Sequence, residues 1–72
     1  FVLPERTRAV LAIYDVEGRH VRTLLDEVLG GGLNEATWDG RDAHGNRVSS
    51  GVYLYRLEVG NQTVTKKLTM VQ

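Results

Sequence analysis

Short runs in which apolar and polar positions alternate fill most of this chain, and glycine-bearing turns separate them. Alternation with a period of two is the mark of strands that bury one face, and short runs at this spacing read as a sandwich or barrel. Phe1 to Leu3 opens the series and is cut off by Pro4, which cannot donate to a ladder and favours an edge or a strand end. Arg8 to Val16 is the clearest strand. Its faces are Ala9, Leu11 and Ile13 against Val10, Ala12, Tyr14 and Val16, so both are apolar; the bulkier pair Leu11 and Ile13 is expected inward, with Tyr14 half covered.

Asp15-Val16-Glu17-Gly18 reads as a tight hairpin turn, with Gly18 in the left-handed conformation that residues bearing a Cβ avoid. The chain is expected to return over His20 to Leu25, where the odd spacing of Val21 and Leu24 suggests a bulge or an early end to pairing. Asp26 to Gly32 is expected to be a loop, flexible at Gly30-Gly31-Gly32, although Leu24, Leu25, Val28 and Leu29 also fit one short helical turn. Leu33 to Trp38 predicts a further strand, with Trp38 as a core anchor. Asp39 to Ser50 holds little apolar residue but Val48, and Asp42-Ala43-His44-Gly45 repeats the turn chemistry of Asp15 to Gly18.

Val52 to Val59 alternates cleanly, with Tyr53, Tyr55, Leu57 and Val59 on one face and Leu54, Arg56 and Glu58 on the other. Gly60-Asn61 predicts a two-residue hairpin connection. The last strand, Gln62 to Val71, sets Val64, Leu68 and Met70 on one face, interrupted by Lys66, and Thr63, Thr65, Lys67 and Thr69 on the other. Connections too short for parallel crossovers imply mostly antiparallel pairing. The expected fold is all-β: an Ig/fibronectin III-like antiparallel sandwich of about six to seven strands.

Composition narrows what such a domain can do. At 72 residues the chain makes one domain, and with no Cys it has neither a disulfide framework nor a thiolate. Nine basic residues balance nine acidic ones, scattered rather than striped, which argues against nucleic acid as a partner. No apolar run approaches membrane-spanning length, so no membrane insertion is expected. The chain opens on Phe1 in an apolar run, and it is expected to be the C-terminal module of a longer protein with its first strand truncated.

Candidate chemistry is sparse. Asp39, Asp42, His44 and Asn46 crowd one loop that could offer oxygen to Ca²⁺, yet the EF-hand spacing is absent, and Asp and Asn populate turns because their side chains bond nearby amides. His20 and His44 lie on separate segments with no nucleophile arranged beside them. The carboxylate pairs Asp15 with Glu17 and Asp26 with Glu27 flank turns and loops, where solvated acids are expected. Gly30-Gly31-Gly32 lacks the Lys-Ser/Thr of a phosphate loop. Tyr14, Tyr53, Tyr55 and Trp38 could form a platform for sugars or bases, but filling or edging the core is their simpler role. Arg56 and Glu58 are expected to make cross-strand charge pairs with Lys66 and Lys67. No catalytic, cofactor-binding or metal residue is assigned, and no enzymatic activity is expected.

The series Ala12 to Arg19 (Ala-Ile-Tyr-Asp-Val-Glu-Gly-Arg), then Val21, Leu24, Trp38-Asp39-Gly40-Arg41-Asp42, Gly45, Val48, Ser50-Gly51-Val52-Tyr53, Tyr55-Arg56-Leu57 and Lys67-Leu68 resembles the FlgD-type Ig-like domain. That domain occurs in the flagellar hook-capping protein, and close relatives end many secreted bacterial proteins as C-terminal sorting domains of the type IX pathway. The resemblance implies an Ig-like sandwich, no catalytic role, and extracytoplasmic residence, secreted or at the cell surface. It also implies that Ala9, Leu11 and Ile13 are buried. The leading expectation is a C-terminal sorting, docking or spacer module whose partners are proteins: upstream domains of the parent chain, and export or assembly machinery. The alternatives are the Ig-like part of a flagellar hook cap, and a module binding glycans or Ca²⁺.

Overall fold

The structure is a computed structural model, and it describes residues 1–71. Six strands form among these residues: β1 Val2–Leu3, β2 Thr7–Asp15, β3 His20–Leu29, β4 Gly32–Leu33, β5 Gly51–Val59 and β6 Gln62–Met70. No helix accompanies them. The long strands make one antiparallel sheet in the order β3-β2-β5-β6, and β1 pairs with β4 in a second, two-stranded sheet. The all-β sandwich expected from the alternation is present, with one layer much larger than the other.

β2 lies inside the large sheet, and its register sorts the faces. Ala9, Leu11 and Ile13 stand opposite Val59, Leu57 and Tyr55 of β5, and those residues stand opposite Gln62, Val64 and Lys66 of β6. Facing partners share a side of the sheet, so this is the inner face expected for Leu11 and Ile13. Ala9 is fully buried and Ile13 is 1% exposed. Ala12 lies on the other face at 4% exposure, small enough to be covered by its neighbours across the strands. Tyr14 is half-buried there, its ring edge-on to His20 at 5.6 Å between centroids.

The bulge suggested by Val21 and Leu24 is present twice. Leu11 pairs with Leu25 but Ala12 with Thr23, and Ile13 pairs with Arg22 but Tyr14 with His20. Leu24 and Val21 are the residues left over, so three-residue spacing in the sequence becomes two extra residues in the ladder.

Three expectations need correction. Asp26 to Gly32 is not a loop: β3 runs on to Leu29, with Asp26 opposite Val10 and Leu29 opposite Thr7, and Arg8 Nε donates to Asp26 Oδ1 at 3.1 Å. Charged residues fit there because β3 is an edge strand with water on its flank. The glycine run is likewise engaged, since Gly32 pairs with Leu3 and a Cβ on Gly31 would lie 3.1 Å from Glu5 Cα. The strand expected over Leu33 to Trp38 stops at Leu33. Beyond it Asn34 is tied in place otherwise: its Nδ2 donates to Gly30 O at 3.0 Å, and the Phe1 amine donates to Asn34 O at 2.9 Å. Lys66 and Lys67 do not pair with Arg56 and Glu58. They stand opposite Tyr55 and Leu54, and Arg56 bonds Glu58 on its own strand at 2.9 Å.

Because the second layer is short, the segment Asn34 to Trp38 covers the large sheet incompletely. A cleft of about 430 Å³ remains, lined by Phe1, Leu24, Trp38, Tyr55, Leu57 and Leu68 among others. A core this small makes Ile13 decisive. Ile13→Val is expected to cost about 0.5–1.5 kcal/mol in a urea titration, and Ile13→Ala about 2–5 kcal/mol. The larger loss is comparable to the whole stability of a marginal domain, so Ile13→Ala should show little cooperative unfolding. An unchanged midpoint for both would refute the inward placement of this strand.

Candidate functional site: two aspartate-held turns and the cleft between them

Polar chemistry concentrates at one end of the sheet, in two turns of the same design. In the first, Asp15 Oδ1 accepts the N–H groups of Glu17 and Arg19, each at 2.9 Å. The backbone closes the same loop, with Gly18 N–H donating to Asp15 O at 3.0 Å and Asp15 N–H to Arg19 O at 2.9 Å. In the second, Asp42 Oδ1 accepts from His44 at 2.9 Å and Asn46 at 3.0 Å. There Gly45 N–H donates to Asp42 O at 3.1 Å and Asp42 N–H to Asn46 O at 2.8 Å. The shared pattern is Asp-x-x-Gly, and the fourth residue must take positive φ: 85° at Gly18 and 84° at Gly45. Asp and Gly recur at this spacing because one supplies a short acceptor for the turn amides and the other lacks the Cβ that would clash.

The two turns are joined. Ala43 N–H donates to Val21 O at 3.0 Å, so the second turn hangs on the bulged part of β3. Arg22 Nη1 reaches Asp39 Oδ1 at 2.8 Å, and that oxygen also accepts the Arg41 N–H at 3.1 Å. Trp38 Nε1–H donates to Arg41 O at 2.9 Å while its ring meets Tyr53 edge-on, centroids 5.2 Å apart. Tyr53 is buried, and its hydroxyl donates to Ser49 O at 2.7 Å. Trp38 and Tyr53 thus anchor the layer with their rings and satisfy their polar ends on nearby carbonyls. Tyr55 lines the interlayer cleft, and Tyr14 sits apart on the outer face, so the four aromatics make no common platform.

Of the residues that could have offered oxygen to Ca²⁺, Asp39 and Asp42 are each engaged by backbone N–H groups, and His44 and Asn46 supply two of those donors. No group of three or more His, Cys, Asp or Glu side chains stands close enough to hold a metal among the described residues. His20 and His44, far apart in sequence, do border one cleft of about 360 Å³ together with Asp15, Val21, Asp42 and Tyr53. His20 Nε2 there contacts Thr23 Oγ1 at 2.8 Å. The carboxylate pair Asp15 and Glu17 shares Arg19, at 2.9 and 3.2 Å, so it serves the turn as an ion-pair cluster. Asp26 is held by Arg8, while Glu27 is exposed and makes no ion pair among the described residues. Sequence reading misses the Arg19 and Arg22 pairs, although an Arg one residue beyond a turn glycine is a signal for the first.

The residues that build these turns and anchors are those of a known domain type: the model of the FlgD Ig-like domain matches residues 2–63. The chain belongs to the FlgD Ig-like domain family. That is a family of structural, non-enzymatic domains. The match takes in both aspartate turns, Trp38 and all of β5, and it agrees with the resemblance read from the sequence. No curated protein and no solved structure matches the chain.

In this FlgD Ig-like domain the turn carboxylates titrate low. The Arg19 N–H is the largest influence holding Asp15 below its ordinary value, partly opposed by loss of solvent and aided by the Arg19 side chain and the Glu17 N–H. The Asn46 N–H does the same for Asp42, again partly opposed by loss of solvent, with the His44 N–H adding to it. Arg19 is shifted up in return, chiefly by its bond to Asp15. When folding lowers a carboxyl pKa, the unfolded chain takes up the proton first, so stability falls as pH drops. Urea midpoints should therefore hold steady above about pH 4 and decline below it. Asp42→Asn, which keeps the acceptor but not the charge, should flatten that decline, and Asp42→Ala should lower the midpoint at every pH by orphaning two N–H groups. A midpoint in Asp42→Ala equal to wild type would show that the turn does not depend on the carboxylate.

Proposed function

We propose that this domain is a non-catalytic assembly module, the Ig-like part of a flagellar hook-capping protein, working outside the cytoplasm by docking onto protein partners. The family match over residues 2–63 carries the reading. The engagement of Asp15, Asp39 and Asp42 with backbone amides supports a scaffold role, since acids used to hold turns are not free for acid-base work. Recognition of proteins by such a sandwich falls to exposed faces and strand edges, which the long sheet provides on both flanks.

The family match weighs for hook assembly over the C-terminal sorting role, which nothing in the comparisons supports. Removing the domain in frame from its parent gene separates the two. The assembly reading expects the shortened parent to be exported while hooks fail to form and swimming is lost. Retention of the shortened parent inside the cell would support the sorting reading instead, and unchanged export with unchanged hooks would overturn both.

A further inference from the structure

The large sheet ends in two unlike edges. β6 presents Gln62–Met70, nine residues with no acid among them and with Lys66 and Lys67 at the middle. Both lysines are exposed and neither makes an ion pair among the described residues. β3 presents Asp26, which Arg8 on the neighbouring strand already pairs, and Glu27, which like the two lysines makes no ion pair among the described residues. Registers say which backbone groups face outward. The two-residue turn makes Val59–Gln62 a hydrogen-bonded pair, so Val64, Lys66 and Leu68 bond inward to β5, and Thr63, Thr65, Lys67 and Thr69 turn their N–H and C=O groups to the open edge. Continuing the alternation through β5 and β2 leaves Asp26 and Val28 of β3 facing their own open edge.

We propose that a second copy of this chain docks here, head to tail, its β3 edge continuing the sheet beyond β6. The order β3-β2-β5-β6 is antiparallel throughout, so β3 and β6 run in opposite directions, and a copy displaced across the sheet presents β3 antiparallel to β6 with the same face inward. One register satisfies backbone and charge together. Lys67 then faces Asp26 and Thr65 faces Val28 as hydrogen-bonded pairs, and Lys66 faces Glu27 as a non-hydrogen-bonded pair, where side chains approach most closely. Val64 meets Leu29 and Leu68 meets Leu25 on the inner face. Val64, 47% exposed in the single copy, would be covered.

Charge also selects against the symmetric alternatives. A two-fold β6–β6 contact centred on the strand sets either Lys66 or Lys67, according to register, directly against its own copy, and a β3–β3 contact does the same to Asp26 or Glu27; like charges across a ladder destabilise it. Edge lysines thus block self-pairing and leave the acidic edge as the matching one. Pairing of this kind is heterologous and does not close on itself, so it adds copies in a row. The reach of the straight pairing is short, because bulges at Leu24 and Val21 and the Ala43 bond to Val21 O cover the other end of β3. The association is accordingly weak. The inference rests on edge geometry and charge and not on the hook-cap reading, and its test uses the isolated chain.

Sedimentation equilibrium of the 72-residue chain, up to about 1 mM, should show open-ended association that weakens at least about tenfold between low salt and roughly 0.5 M salt. Amide exchange should slow with concentration at Thr65 and Lys67 and at Asp26 and Val28. The Lys66→Glu/Lys67→Glu variant and the Glu27→Lys variant should each be about tenfold weaker alone, and mixing the two should restore association, because the unaltered β3 edge of the first then meets the unaltered β6 edge of the second. Restoration on mixing requires both variants to be folded, which guards against a trivial loss. A wild-type chain that stays monomeric, a mixture that fails to associate, or protection confined to β6 would overturn the proposal.

Discussion

A carboxylate oxygen that accepts the N–H groups two and four residues ahead of it is the contact on which this structure depends. It closes the β2–β3 hairpin at Asp15 and the loop at Asp42 that carries the chain back towards β5. The first sets where β3 begins against β2, and the second hangs on Val21 and so positions the Trp38 to Val48 layer above the sheet. Hydrogen bonds to an ionised acceptor are stronger than those to a neutral one, and here each such acceptor serves two donors at once.

Turn chemistry carries so much because the core is small. Among the described residues Leu3, Ala9, Leu11, Ala12, Ile13 and Tyr53 are the buried apolar ones, too few to dictate a unique arrangement by packing alone. The second sheet pairs only Val2–Leu3 with Gly32–Leu33, and the rest of that layer is irregular chain. Such chain needs its polar groups answered, and Trp38, Arg41, Asn34 and Tyr53 do this through side-chain bonds to nearby carbonyls. Anchoring rings by their polar tips lets one residue fill space and close a loop together.

The same economy separates the parts of the molecule that hold shape from those that can meet partners. Aspartates at the turns are spent on backbone amides, and Arg19 and Arg22 are tied to them. Among the described residues the sheet's two flanks keep open backbone groups beside charges without an ion pair, Lys66 and Lys67 on β6 and Glu27 on β3. A structural domain that interacts through its edges needs rigid turns and available edges, and this chain has both.

Local chemistry made much of this legible in the sequence. Alternation marked β2, β5 and β6 and chose their inner face at β5, because side chains on a strand point to opposite sides whatever the partner. The twin Asp-x-x-Gly turns were visible for a similar reason: a turn's hydrogen bonds close within five residues. Even the bulges showed, as Val21 and Leu24 falling out of step. Tertiary structure alone decided the rest. Asp26 to Gly32 looked like loop because three glycines in a row end it, yet a neighbour at β2 made Asp26 to Leu29 strand. Leu33 to Trp38 looked like strand, yet among the described residues no strand pairs with the chain beyond Leu33, and it stayed irregular. Asp39 offered itself as a metal ligand until Arg22, seventeen residues earlier, took its oxygen. A strand's existence and a carboxylate's employment both depend on what lies across from them, and that is a property of the folded chain.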